Sequence, residues 1–324
     1  MIFKGENIKK VLKNIRQYHT CWFRDEFYHH LLAAYSFFGV PAEYVVCNYI
    51  IDVEPYELGK DIIYSEHEIL TDGEFRPLTG ARPRSLRPDD LWKRITACIR
   101  SEFPLIIGQD AFYLPFRRKQ FNKKHSDNFV LIYGVDPQKE IVYLSGDTGT
   151  TLFNFEEMAL PFSTVKAAFD GYCARHENDA VTAVMVEPVE NVSLSRKSDV
   201  LNKLKESFFN RNYAQYASFY RMFLDRPWTL EDLKKWDAFT IKYTNFFCIL
   251  ATQCGYIFGS LRRSEAMAGA WHSALRFLEI YKQALAEENP ELVSGEEVSR
   301  LATDIEERLK YMNRMKTSAP VVAG

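Results

Sequence analysis

The segment QYHTCWFRDEFYHHLLAAYSFFG, residues 17–39, decides the fold that the sequence predicts. Apolar side chains recur in it at the three- and four-residue spacing of one helix face: Phe23, Phe27, Leu31, Ala34, Tyr35 and Phe38. Thr20 has the hydroxyl of a helix N-cap, and Gly39 followed by Pro41 is typical of a helix end. We therefore expect a helix over residues 22–38, with Cys21 at its N-terminus.

Cys21 is the candidate catalytic residue of this segment. A thiol at a helix N-terminus lies at the positive end of the helix dipole, which lowers its pKa and raises the thiolate fraction. The thiolate is the nucleophilic form, so this position suits a reactive cysteine. The alternative role is that of a small apolar residue buried in the core.

The composition excludes several functional classes. The chain has 324 residues, 47% of them hydrophobic, which is enough for one large domain or two ordinary ones. Its 41 Lys and Arg residues nearly balance its 43 Asp and Glu residues. A basic surface of the kind that binds nucleic acid is therefore not expected.

The localisation is expected to be cytoplasmic, with no membrane contact. The N-terminal residues contain no apolar segment of signal-peptide length, and no later window is apolar enough to span a bilayer. The six cysteines, at positions 21, 47, 98, 173, 248 and 254, are dispersed and lack CxxC spacing. We therefore expect free thiols, without a disulfide framework or a metal site.

The sequence pattern changes near residue 190. Before it, helical and strand-like segments alternate, which predicts an α+β domain over residues 1–190 with a mainly antiparallel sheet. After it, nearly all segments have helical period, which predicts a helical domain over residues 191–324 with a frayed tail from about residue 317. The helical part is compatible with a bundle packed on the first domain and also with a homodimer interface.

The predicted elements of the first domain follow the helix in order. Strand-like segments are expected at residues 43–53, 61–70, 105–114, 129–135, 141–144 and 180–186. Helices are expected from Asp89 or Asp90 to just before Pro104, and around residues 163–172. The Pro- and Arg-rich residues 71–90 are expected to form a loop. In the helical domain we expect helices at residues 198–224, 229–258 with an extension through 279–287, and 294–315.

A predicted hairpin carries the other candidate site residues. Residues 123–147, KKHSDNFVLIYGVDPQKEIVYLSGD, consist of a polar lead, a strand, a turn at Asp136 to Gln138, and a second strand that ends at Asp147. Cysteine nucleophiles need a base, and the base needs an orienting partner. A residue at the start of the first strand and one at the end of the second would be neighbours across the hairpin.

These features together resemble a known family. Cys21 opening a helix that ends in glycine, the segment PLIIGQDAFYLPF, and a His-containing lead into strand-Gly-x-Asp and strand-x-Asp are similar to the N-terminal domain of butirosin biosynthesis protein H. That family is related to the papain-like, bacteriocin-processing (C39-like) cysteine peptidases. The resemblance covers about residues 15–190 and implies a papain-like fold.

The resemblance also implies an activity in natural-product biosynthesis. The cysteine would take an acyl or aminoacyl group from the phosphopantetheine thioester of an acyl or peptidyl carrier protein and pass it to an amine. Cys21 matches the nucleophile, Asp147 the orienting acid, and Asp110 a recurring aspartate at a strand end. The family's His-x-x-His lead is His125-Ser126-Asp127-Asn128 here, so Asn128 stands where the general base would be.

The identity of the base is therefore open. An amide cannot accept a proton near neutral pH, so Asn128 could orient a group but not activate Cys21. Either His125 or His19 could reach the thiol, or the fold has lost its base and serves only for binding. Gln17 could donate to an oxyanion, as a glutamine upstream of the cysteine does in papain-like enzymes. Each of these residues also has an ordinary structural role as alternative: a solvated loop or surface histidine, a turn former at Asp147, a cap at Asp110.

The segment RRKQFNKK, residues 117–124, is the strongest basic run in the chain. A solvated loop is its ordinary interpretation. Because carrier proteins are acidic, Arg117, Arg118, Lys123 and Lys124 could instead dock the carrier beside the site. The sequence thus favours a Cys21 acyltransferase over a non-catalytic carrier- or peptide-binding protein, and over a peptidase, which would need the missing histidine most.

Overall fold

The structure is a computed structural model that describes residues 8–15, 17, 26–54, 57, 63–71, 73–75, 80–87, 89–149, 155–176, 182–189, 194–258 and 261–315. Two of the predicted site residues, His19 and Cys21, lie outside the described residues, as does the predicted tail from about residue 317. No helix in these ranges is long and apolar enough to cross a membrane.

The described residues form an α+β N-terminal part and a helical C-terminal part, as predicted. The strands are β1 (Lys10–Val11), β2 (Tyr49–Val53), β3 (Tyr64–Glu68), β4 (Ala81–Leu86), β5 (Leu105–Asp110), β6 (Asp127–Asp136), β7 (Ile141–Asp147), β8 (Phe155–Pro161) and β9 (Ala183–Pro188). The α-helices are α1 (Glu26–Phe37), α2 (Ala42–Cys47), α3 (Leu91–Arg100), α4 (Phe162–Arg175), α5 (Leu194–Asn210), α6 (Ser218–Met222), α7 (Leu230–Phe258), α8 (Leu261–Ala286) and α9 (Glu296–Met315). Short 3-10 helices span Ala111–Tyr113, Tyr213–Ala217 and Pro290–Ser294.

Helix α1 ends where its sequence predicts. Gly39 has a φ of 73°, a conformation that glycine adopts without steric cost. The N–H of Val40 donates to the carbonyl of Tyr35 at 3.2 Å, and that of Gly39 to Ser36 at 3.0 Å. This paired arrangement satisfies the last free carbonyls of the helix. The helix therefore ends at this turn.

The main sheet is antiparallel and has the strand order β4-β9-β5-β6-β7-β8, with β1 paired to β6 beside this path. The β6–β7 hairpin is the one predicted, and the carboxylate of Asp136 accepts from the N–H groups of Gln138 at 3.2 Å and Lys139 at 3.3 Å. Helix α4 packs closely on β5: a Cβ added to Gly108 would lie 2.4 Å from the Tyr172 ring. Glycine at this position therefore lets α4 lie close to the strand that ends at Asp110.

Several local predictions are wrong. Of residues 43–53, expected to be strand, 43–47 belong to helix α2 and only 49–53 form β2. The expected loop at residues 71–90 contains β4, which pairs with β9 and has no second neighbour among the described strands, so that Pro83 is tolerated in it. Strand β8 was not expected, because its exposed Glu156 and Glu157 give it a polar sequence.

The C-terminal helices enclose an aromatic core. The expected single helix at residues 198–224 is instead α5, a 3-10 turn and α6, with a break at Arg211 and Asn212. Helix α7 begins with a reciprocal cap: the Thr229 hydroxyl accepts from the N–H of Asp232 at 3.1 Å, and the Asp232 carboxylate accepts from the N–H of Thr229 at 3.0 Å. Large aromatic side chains are fully buried here: Phe208, Tyr213, Tyr216, Phe219, Tyr220, Phe223, Tyr243, Phe246, Phe247 and Tyr281.

The chain forms two compact units. Among the described residues, the first contains 8–17, 26–44 and 73–197, and the second contains 45–71 and 198–315. A single boundary at residue 190 would place the β2–β3 hairpin in the first domain, but this hairpin packs with the helices. The Gln253 side chain donates to the carbonyls of Val46 at 2.6 Å and Tyr49 at 2.8 Å, and Tyr64 stacks on Phe239. The second unit is therefore a set of helices with an added hairpin.

Candidate functional site

The first turn of α1 lies against the start of β6. The Glu26 carboxylate accepts from the N–H of Phe129 at 2.9 Å, and the rings of Phe27 and Phe129 are 5.4 Å apart. The imidazole of His30 bonds to the Phe129 carbonyl at 3.0 Å. Burial lowers the pKa of His30 to about 3, so this histidine is neutral and structural. Cys21 precedes Glu26 by five residues and lies outside the described residues.

Arg117 joins this helix start to the end of β7. Its Nη1 atom lies 3.1 Å from Glu26 Oε1 and 2.8 Å from Asp147 Oδ2, and it donates to the Asp147 carbonyl at 3.0 Å. The side chains of Arg117, Glu26 and Asp147 are only 11%, 13% and 10% exposed. The predicted orienting acid, Asp147, is thus engaged by a buried guanidinium, and Arg117 does not belong to an exposed docking surface.

One carboxyl group of this cluster, that of Glu26, holds a proton. Burial raises the pKa of Glu26 to about 8, although Arg117 and the Phe129 N–H act in the opposite direction. Ionisation of Glu26 would place a further negative charge in a buried site, which is costly. Glu26 therefore keeps its proton up to about pH 8.

The stability of the first unit should fall as pH rises toward 8. The pKa of Glu26 is about 8 in the folded chain and 4.5 ordinarily, so the folded state holds a proton that the unfolded chain releases. This contribution is complete below pH 4.5 and is lost as pH rises through about 8. Buried His30, whose pKa is lowered to about 3, acts in the opposite direction below its ordinary pKa of 6.5, so the free energy of unfolding should fall by up to about 1.4 kcal/mol per pH unit between pH 6.5 and about 8. Urea unfolding at several pH values measures this slope.

The variant Glu26→Gln should remove most of the slope, because the amide stays neutral at every pH. Glu43→Gln is the matched control, since Glu43 is also a first-turn carboxyl, on α2. It should keep the wild-type slope. Equal slopes for wild type and Glu26→Gln would contradict the assignment.

Asn128 lies on the opposite face of the sheet from Asp147. Strand register places Asn128 opposite Gln109 and Val130 opposite Gly146. Side chains alternate between faces, so Asp147 shares the face of Phe129 rather than that of Asn128. The Asn128 amide is buried and donates to the Phe129 carbonyl at 3.1 Å. The register therefore places Phe129, rather than Asn128, beside Asp147 across the hairpin.

His125 and Asp110 form a dyad. The Nδ1 atom of His125 lies 2.6 Å from Oδ2 of Asp110, and the carboxylate is fully buried while the imidazole is 53% exposed. The ring of His125 stacks on Phe112 at a centroid distance of 4.4 Å. The other oxygen of Asp110 accepts from the N–H of Phe112 at 3.0 Å. Asp110 is thus both the structural cap and the partner that orients the exposed imidazole.

The dyad lies on the same sheet face as the start of α1. Asp110 is opposite Asp127 in the β5–β6 register, and Asp127 precedes Phe129 by two residues, so both belong to the Phe129 face. Arg175 on α4 supports this end, with Nη2 at 3.0 Å from Asp127 and Nη1 at 3.7 Å from Asp110. These contacts fix the carboxylate that holds His125.

Gln17 lies at the same sheet face as Asp147. Its side chain donates at 2.8 Å to the hydroxyl of Ser145, two residues before Asp147 on β7. Arg118, Lys123 and Lys124 are exposed on the segment that leads to His125. Sequence reasoning did not assign a role to Glu26 or Arg175, although an acid in the first turn of a helix next to a candidate nucleophile is a usable signal.

No metal centre is formed within the described ranges, where no three His, Cys, Asp or Glu side chains are arranged to hold an ion. Compared with known proteins, the chain matches no family model, and a search of curated proteins finds no match.

Proposed function

We propose that this protein is a cysteine-dependent acyltransferase with a papain-like N-terminal domain, acting in natural-product biosynthesis. Cys21 takes an acyl or aminoacyl group from a carrier-protein thioester and passes it to an amine. The proposal rests on the family resemblance and on the observation that His125 is oriented by the buried carboxylate of Asp110. This pair supplies the base that is missing at Asn128.

The chemistry has two steps. The Cys21 thiolate attacks the thioester carbonyl, the bond to the carrier sulfur breaks, and the carrier thiol leaves with a proton. An amine then attacks the Cys21 thioester, loses a proton, and releases the Cys21 thiol. Each step needs one group that accepts and returns a proton, and an imidazole held at Nδ1 by a carboxylate can do so at Nε2.

A carrier thioester needs less help from a general base than a peptide bond does, because its carbonyl is already activated. A thiolate stabilised by a helix N-terminus can therefore attack a thioester more readily than it can attack an amide. The exposed Arg118, Lys119, Lys123 and Lys124 directly precede His125. A positive surface at this position suits an acidic carrier protein, whose prosthetic arm would have to reach the site.

A second candidate function is non-catalytic binding of a carrier domain or peptide on the same fold. Two observations favour it. The Asp147 carboxylate is paired with Arg117, and Asn128 lies on the opposite sheet face, so the residues at the family's acid and base positions form no dyad. A wild-type protein that forms no acyl adduct with any thioester donor would support this function instead.

Replacing His125 tests the proposed base. The variant His125→Gln should lower the single-turnover rate of acylation by a small-molecule acyl thioester about 10²- to 10⁴-fold. Intact mass at successive times measures this rate. His176→Gln is the matched control, because His176 lies on the same sheet end but bonds to Asp127 at 2.9 Å. It should react like wild type, and an unchanged rate for His125→Gln would refute the role of the dyad.

A further inference from the structure

Arg211 is a buried charge in the second unit. It follows α5, and the whole residue is only 6% exposed. Its Nε, Nη1 and Nη2 atoms have no hydrogen-bond partner among the described residues. A guanidinium remains charged in proteins, and leaving a buried charge unpaired costs several kcal/mol. A group of opposite charge is therefore needed at this position.

Aromatic side chains lie next to the guanidinium. The ring of Phe208 lies 4.0 Å from Arg211 Cζ and covers one face. Burial raises the pKa of the Tyr213 and Tyr216 hydroxyls, and the nearby Arg211 charge partly offsets the increase. Tyr213 donates to the Phe208 carbonyl at 3.3 Å, whereas the buried Tyr216 hydroxyl has no partner in the described part of the chain.

Asp52 of the second unit acts on the Tyr216 hydroxyl and raises its pKa, but its Oδ2 atom is paired with His67 Nε2 at 3.4 Å. The Arg211 guanidinium and the Tyr216 hydroxyl are thus buried donors without a hydrogen-bond partner among the described residues, in an aromatic cluster where the Tyr213 and Tyr216 rings are 6.3 Å apart. A guanidinium fork binds carboxylate or phosphate oxygens in pairs, and a tyrosine hydroxyl can donate a further hydrogen bond.

We propose that Arg211 and Tyr216 form a binding site for an oxyanion, the carboxylate or phosphate group of a small ligand. The site would make the stability of the helical unit dependent on its ligand, because a ligand that binds only the folded state stabilises it.

Thermal unfolding at constant ionic strength tests the proposal, with sodium chloride replaced stepwise by sodium phosphate or by sodium acetate. The melting temperature of the wild type should rise saturably with at least one of the two anions; phosphate alone indicates a phosphate ligand and acetate alone a carboxylate. In Arg211→Met the apparent affinity should fall about tenfold or more. A wild-type melting temperature that is the same in chloride, phosphate and acetate would overturn the proposal.

Two further variants keep the test decisive. Tyr216→Phe removes only the hydroxyl and should weaken the response several-fold, which remains measurable if Arg211→Met does not fold. Arg226→Met is the matched control, because Arg226 also lies over an aromatic ring, with its Cζ 4.4 Å from the Trp228 centroid. It should respond like wild type. A wild-type response in both Arg211→Met and Tyr216→Phe would also refute the site.

Discussion

Arg117→Ala is expected to lower the free energy of unfolding by about 3–5 kcal/mol, the usual cost of removing one partner from a buried ion pair. Arg117 contacts two carboxyl groups, Glu26 on α1 and Asp147 on β7, and all three side chains are nearly buried. Its removal leaves the Asp147 carboxylate desolvated and without this cation. The loss should appear in urea unfolding, and in faster hydrogen exchange of the β7 peptide.

Arg118→Ala is the matched control for this prediction. Arg118 is the next residue in the chain and has the same side chain, but it is exposed. Its replacement should change the free energy of unfolding by no more than about 0.5 kcal/mol. Equal changes in the free energy of unfolding for the two substitutions would show that the buried contacts of Arg117 do not stabilise the protein.

Elements with strong local signals in the sequence were predicted correctly. Helix α3 begins at the expected position because the Asp90 carboxylate caps it, accepting from the N–H of Lys93 at 2.9 Å. The β6–β7 hairpin followed from its turn residues. Strand β4 did not, because an Arg- and Pro-rich segment is stabilised as a strand only by its pairing with β9, about a hundred residues later. The packing of residues 45–71 with the helices depends on similarly distant contacts.

The contacts of the candidate site likewise depend on residues that are distant in the sequence. His125 and Asp110 were both identified from the sequence, but the orienting role was assigned to Asp147 from the resemblance. Which carboxylate meets His125 depends on the β5–β6 register, which places Asp110 beside the residues that follow the histidine. Arg117 looked like part of a solvated basic run, and its burial depends on carboxylates from α1 and β7.

Cys21→Ala is expected to abolish acylation by a thioester donor completely, whereas the other cysteines should contribute little. Burial raises the pKa of Cys98 to about 11 and also raises that of Cys173, so both have little thiolate at neutral pH. Cys47, Cys248 and Cys254 are buried. Cys173→Ala is the matched control, because Cys173 is only partly buried, and it should be acylated like wild type.

The role of Cys21 as acyl carrier can be tested by locating the acyl group in the wild-type protein. The protein is incubated with an acyl-carrier thioester without the amine acceptor, the reaction is stopped, and the protein is digested and analysed by peptide mass. We expect one acyl group, on the peptide that contains Cys21, which disappears when the amine is added before the reaction is stopped. An unlabelled Cys21 peptide, or a label distributed over the other cysteines, would refute this role.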